Sequence, residues 1–96
     1  MTETNETRRY IVKGRVQGVG FRWYVEHAAV QLGIAGWVRN RSDGSVEVLA
    51  SGPREKLHSL YLELQKGPRA SRVDHVEVED AAPDTNLKSF RIEGTW

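Results

Sequence analysis

The chain has no cysteine. That excludes disulfide staples, thiolate metal sites and the cysteine nucleophile that some phosphatases place before an arginine. Any chemistry done here is done without a thiol. The formal charge of +1 is too small to argue for nucleic acid or an anionic membrane as a partner. No apolar run approaches the length of a membrane span, and Met1 to Thr7 has neither a basic n-region nor an apolar h-region. The expectation is a cytoplasmic protein that engages neither membrane nor nucleic acid. There is no internal repeat, low-complexity tract or linker, and 96 residues, 39% of them hydrophobic, allow one small domain with a single core. Residues 1–7 read as a flexible polar extension and residues 8–96 as the domain. With the core accounted for and no apolar surplus, a monomer is expected.

The familiar nucleotide fingerprints are missing as well. Gly14, Gly18 and Gly20 are not spaced as G-x-G-x-x-G, and no Gly-Lys-Ser/Thr follows them. What stands there instead is Gly14-Arg15-Val16-Gln17-Gly18-Val19-Gly20-Phe21-Arg22, where a strand-like alternation meets a glycine-rich turn and then a helical pattern. Glycines let consecutive N–H groups converge on one point, and the helix starting near Phe21 adds unpaired N–H groups and its positive dipole end. Arg22 supplies a fixed charge and a planar fork suited to phosphate oxygens. The stretch reads as an anion cradle. The plainer alternative is a glycine-rich connection bent for packing, with Arg22 solvated.

Charge distribution says more than the sum. Between Thr7 and Ser42 stand Arg8, Arg9, Lys13, Arg15, Arg22, Arg39 and Arg41 against Glu26, whereas acids exceed bases from Asp43 onward. The positive field gathers around the cradle, unless these residues form an ordinary solvated face.

In chain order, Arg9 to Val16 alternates as a half-buried strand, with Tyr10, Val12, Gly14 and Val16 on one side. Phe21, Val25, Ala28, Ala29 and Leu32 then share a helical face that Gly33 is placed to end, with Trp23 and Tyr24 as shoulder packing. Ile34 to Arg41 and Ser45 to Ser51 form a hairpin around Ser42-Asp43-Gly44. Gly52-Pro53 opens a second helix whose Leu57, Leu60, Tyr61 and Leu64 recur at i, i+3, i+4 and i+7 before Gly67-Pro68. Val73 to Glu79 gives a fourth strand with Val76 and Val78 inward and Val73 out of phase, as before a bulge. After a polar loop, Lys88 to Trp96 alternates as a short last strand. The order predicts an α+β, ferredoxin-like split βαβ sandwich, with two helices on one face of a mainly antiparallel four- to five-stranded sheet. In that plan the end of the second strand shares a sheet edge with the cradle.

Asn40 lies near that end. Its amide can donate to and accept from a water, holding it in line with a bound phosphorus, though it is too weak a base to take the proton. A hydrogen-bonding residue before a turn is the plainer reading of Asn40 alone. Arg39 and Arg41 point away from it in strand geometry and belong to the field or to surface ion pairs.

At this point the chain resembles the acylphosphatases. Val16-Gln17-Gly18-Val19-Gly20-Phe21-Arg22 and Gly36-Trp37-Val38-Arg39-Asn40-Arg41-Ser42-Asp43-Gly44-Ser45-Val46, with Gly52 following, match that family's two characteristic segments in order and separation. The resemblance spans roughly Arg8 to Trp96. It implies hydrolysis of the mixed anhydride of acyl phosphates to a carboxylate and inorganic phosphate, without a metal or cofactor. By position it implies that Arg22 and the backbone N–H groups of Gln17, Gly18, Val19, Gly20 and Phe21 hold the phosphate, and that Asn40 orients the attacking water. The partners it implies are a small-molecule acyl phosphate and inorganic phosphate or similar anions.

His27, His58 and His75 are tempting as general bases, but they fall on two helices and a strand without neighbouring metal-ligand patterns. They read as structural or solvated. Asp43 is explained as a turn former, Glu47 by a strand's outer face, and Trp37 and Trp96 by sheet packing. Two rival functions remain. An RNA reader of similar fold needs aromatics on central strands, whereas here the Gly-Phe pair precedes a helix. A regulatory domain would bind an anionic metabolite without turning it over.

Overall fold

The computed structural model describes residues 5–94. Its elements are β1 (Asn5–Arg15), α1 (Phe21–Leu32), β2 (Ala35–Asn40), β3 (Val46–Pro53), α2 (Arg54–Lys66), β4 (Arg72–Asp80) and β5 (Phe90–Ile92). They build a ferredoxin-like α+β sandwich with strand order β4-β1-β3-β2-β5. Every neighbouring pair is antiparallel except β2 and β5, which run parallel. Because β3 lies antiparallel between β1 and β2, those two strands point the same way. Their C-terminal ends therefore share one edge, and α1 is the crossover between them.

Alternation decides which face is buried. Tyr10 and Val12 from β1, Val38 from β2, Val46, Val48 and Ala50 from β3, and Phe90 from β5 meet Phe21, Val25 and Ala29 of α1 and Leu57, Leu60 and Leu64 of α2. These side chains are essentially inaccessible, and truncating any one of the leucines costs about 2–5 kcal/mol. Gly33 ends α1 in the left-handed conformation, its N–H returning to Ala29 and Val30 carbonyls.

Three expectations change at the sheet's margins. Asn5, Glu6 and Thr7, expected in the polar extension, are the first residues of β1 and pair with Pro53, Gly52 and Ser51; residues 1–4 lie outside the described region. Val78 shares the inward side of β4 but is exposed, because β4 is an edge strand that the helices do not fully cover. The last strand is only Phe90–Ile92, and the expected continuation through Thr95 and Trp96 lies outside the described residues. The bulge is where Val73 suggested it: Lys13 pairs with His75 and Gly14 with Val73, leaving Asp74 as the extra residue.

Candidate functional site

The loop from Val16 to Gly20 carries the chain from β1 into α1. Val16 is buried and Val19 packs against the core, so the apolar residues of the loop anchor it. Gly18 and Gly20 have φ of 73° and 78°. A Cβ on either would meet nothing within 4 Å, so conformation and not space requires glycine there. Gly14 is different. A Cβ there would run into the carbonyl oxygen of Arg72 and stand 2.8 Å from the amide of Asp74. Gly14 serves the β1–β4 bulge, and it drops out of the cradle.

Gly20 is the N-cap of α1. No side chain caps this helix and no acid lies in its first turn. Its first N–H groups and positive dipole end are left open beside the loop, an arrangement suited to an anion. The Phe21 ring is buried in the core, leaving its backbone N–H as what it offers to a ligand.

The Gln17 side chain has a structural task that the sequence reading, which used only its N–H, missed. Its Nε2 donates to the Arg41 carbonyl at 2.7 Å and the Ser45 carbonyl at 2.9 Å. These bonds lash the loop to the β2–β3 turn, beside the end of the strand that carries Asn40.

Arg22 Nη1 donates to the Glu93 carbonyl at 3.2 Å, and the Glu93 N–H donates to the Val38 carbonyl at 2.8 Å. Val38 precedes Asn40 by two positions and shares its side of β2. Two hydrogen bonds thus run from the guanidinium to the strand that presents Asn40. Asn40 is half-buried with its Oδ1 shielded from water. Gly94 borders one groove with Arg22 and another with Asn40. The segment after β5 is therefore part of the site's frame, a role sequence reasoning did not assign, since a backbone acceptor has no side-chain signature.

Most other basic residues near the loop are ion-paired. Arg9 and Arg39 hold Glu47 from either side at 3.0 and 2.8 Å, and the Arg39 guanidinium lies 4.8 Å from the Trp37 ring centroid. Glu47 is only 7% exposed, so it is a buried counter-ion where an open strand face was expected. Lys13 pairs with Glu77 at 3.0 Å, and Arg41 stands 3.9 Å from Asp43. Asp43 Oδ1 accepts from the Ser45 hydroxyl and amide at 2.5 and 2.9 Å, which holds its carboxyl below the usual range. Among the described residues no carboxylate lies within ion-pairing distance of Arg22.

His27, His58 and His75 are exposed. His58 stacks on Tyr61 and His75 stands 3.9 Å from Glu77. No group of three or more His, Cys, Asp or Glu among the described residues is arranged to hold a metal, and no helix among them is long and apolar enough to cross a membrane. Tyr24 is shoulder packing as expected: it packs on the core and its hydroxyl donates to Glu63 at 2.6 Å. Trp23 is not. It is 71% exposed on the outer side of α1.

The acylphosphatase family model matches residues 8–92. The chain is 88% identical to an acylphosphatase of Koribacter versatilis over 96 residues, covering 100% of this chain and 87% of that protein. The acylphosphatase of Cupriavidus metallidurans is 55% identical over 83 residues, or 86% of this chain and 87% of that one. The crystal structure of the Bacillus subtilis acylphosphatase superposes with a TM-score of 0.89 at 40% identity, covering 95% of this chain and 100% of that one. On these matches and this architecture, the chain belongs to the acylphosphatase family.

Proposed function

We propose that the chain hydrolyses the carboxyl–phosphate bond of acyl phosphates by in-line attack of a water oriented by Asn40 on a phosphoryl group held in the cradle. The N–H groups of Gln17, Gly18, Val19, Gly20 and Phe21 and the guanidinium of Arg22 bind the phosphoryl oxygens. The water oxygen bonds to phosphorus as the bond to the acyl oxygen breaks, and the acyl group leaves as a carboxylate. Asn40 is too weak a base to take the water's proton, so the proton passes to a phosphate oxygen of the substrate and leaves on inorganic phosphate. An acyl phosphate is activated, so positioning and charge stabilisation suffice, and each key donor contributes about 3–4 kcal/mol.

The observation that carries this reading is the uncapped, acid-free N-terminus of α1, with Arg22 tied through Glu93 to the strand of Asn40. The reading includes a cytoplasmic monomer needing no metal or cofactor. It has no nucleic-acid partner: the outer-face positions of β1 and β3 hold Arg9, Ile11, Glu47 and Leu49, and Trp37, beside Leu49 on β2, is engaged by the Arg39 guanidinium, which leaves no run of aromatics on which bases could stack.

The test is ultraviolet-monitored hydrolysis of benzoyl phosphate in chelator by the parent, Arg22→Ala and Asn40→Ala proteins. Turnover by the parent that falls about 100- to 1,000-fold in each variant supports both roles. A folded parent that binds phosphate without turnover would establish the regulatory reading instead.

A further inference from the structure

Exposed tryptophan on a small enzyme needs an explanation, and Trp23 stands three residues after Gly20, the end of the cradle. It lines a groove of about 610 Å³ together with Gly20, Tyr24, Ala28, Leu32 and Glu63. The wall is mostly apolar, and its carboxylate is engaged by the Tyr24 hydroxyl at 2.6 Å. Side chains on a helix lean toward its N-terminus, so the Trp23 indole covers the turn that begins at Gly20. Gly20 has no side chain to separate cradle from groove, and the space beside its Cα is open.

The two ends of the loop face different neighbours. Gln17 is bound to the β2–β3 turn, on the side of Asn40, whereas Gly20 opens onto the groove. In-line displacement sends the leaving group away from the attacking water. With water on the Asn40 side, the acyl group departs over Gly20 toward Trp23.

Resting on the acyl phosphate reading above, we infer that Trp23 and the groove behind it form an acyl subsite that selects aromatic or extended apolar acyl phosphates over small ones. Covering one face of a phenyl ring with the indole changes selectivity about five- to tenfold. A second groove beside Trp23 is bordered by Arg22, Glu26 and Arg91 together with Phe90 and Ile92, and is more polar than the first.

The test is the ratio of kcat/KM for benzoyl phosphate to that for acetyl phosphate in the parent, Trp23→Ala, Trp23→Phe and Arg91→Ala proteins. The subsite requires that Trp23→Ala lower the ratio about five- to tenfold, that Trp23→Phe restore most of it, and that Arg91→Ala leave it unchanged. A ratio indifferent to Trp23→Ala, or shifted as much by Arg91→Ala, overturns it. Should the parent hydrolyse neither compound, the hydrolytic reading fails on its own. The groove is then decided by calorimetric affinities for phenylphosphonate and methylphosphonate: a phenyl preference abolished by Trp23→Ala sustains it, and no preference refutes it.

Discussion

Replacing Gln17 by alanine separates what the cradle's backbone does from what holds it in place. The N–H at position 17 survives, and what disappears is the pair of bonds from Nε2 to the Arg41 and Ser45 carbonyls. Neither carbonyl is orphaned, because Ser45 O also accepts from the Arg41 amide at 2.9 Å and Arg41 O from the Gly44 amide at 3.2 Å. The cost is then the net value of two ordinary hydrogen bonds, about 1–2 kcal/mol, without the penalty of a buried unpaired acceptor. For a domain of this size that lowers Tm by roughly 5–10 °C. Catalysis suffers through geometry: a loop free to shift weakens several converging N–H bonds at once, raising KM for benzoyl phosphate about three- to tenfold. Gln17→Glu keeps the side chain's size but presents a carboxylate to two carbonyls and adds negative charge beside an anionic substrate, so its KM rises further than that of Gln17→Ala. Thermal unfolding and steady-state kinetics on the three proteins check both effects. Should Gln17→Ala melt with the parent and keep its KM, the idea that the β2–β3 turn holds the cradle is wrong.

Gly14→Ala is expected to destabilise the domain by about 2–3 kcal/mol, since the new Cβ collides with the backbone of β4 at φ 134°; urea titration measures the loss, and kcat/KM per folded molecule stays within twofold, because Gly14 is outside the cradle. Glu47→Leu leaves Arg9 and Arg39 without their shared carboxylate, but those side chains are 37% and 50% exposed and rehydrate, so the cost is about 1–2 kcal/mol in denaturant titrations, and a loss above about 4 kcal/mol would mean the pair is less hydrated than its exposure indicates. The carboxyls of Glu6, Asp43, Asp74 and Glu77 are lowered chiefly by hydrogen bonds from Arg54, Ser45, Arg72 and Lys13 respectively. A folded pKa below the unfolded one gives stability that is complete above the unfolded value, about 4, and is lost as pH falls through the folded value. Urea midpoints should therefore be flat from pH 7 to 5 and decline below about pH 4, and a rise in stability on acidification would contradict the assigned ion pairs.

How much of this was visible in the sequence depends on whether a feature lives in one residue's chemistry or in what surrounds it. Gly18 and Gly20 advertise positive φ by themselves, and the helix stripes of Phe21, Val25 and Ala29 and of Leu57, Leu60 and Leu64 need only a period. Fold and topology followed from such local signals. The frame of the site did not. Arg22 is oriented by the carbonyl of Glu93, and a carbonyl is the same in every residue. The Gln17 amide was chemically able to bond anywhere, and only the closure of β2 beside β1 decides that it bonds to the hairpin. The first residues of β1 were missed because Glu6, Thr7 and Arg8 show no apolar alternation: Thr7 is buried by its pairing with Ser51 and not by hydrophobicity. Trp23 failed for the opposite reason. Its type suggests burial, whereas its position on the helix places it outside the stripe.

The basic stretch also changes meaning once the fold is known. Of its seven cationic residues, Arg8, Arg9, Lys13, Arg39 and Arg41 stand within ion-pairing distance of Glu6, Glu47, Glu79, Glu77 and Asp43. Those pairs cancel most of the field that the linear sequence suggests, so the outer face of the sheet is an alternating lattice and not a basic patch. Arg22 differs in bonding to a neutral carbonyl, which orients the guanidinium without neutralising it. Its charge and the open N-terminus of α1 add at the same small loop. A long polyanion needs positive charge spread along its track, whereas a single phosphoryl group needs it at one point. Pairing five of those seven cations, while no carboxylate among the described residues stands within ion-pairing distance of Arg22, favours the second kind of ligand, and that selectivity arises from placement more than from the net charge.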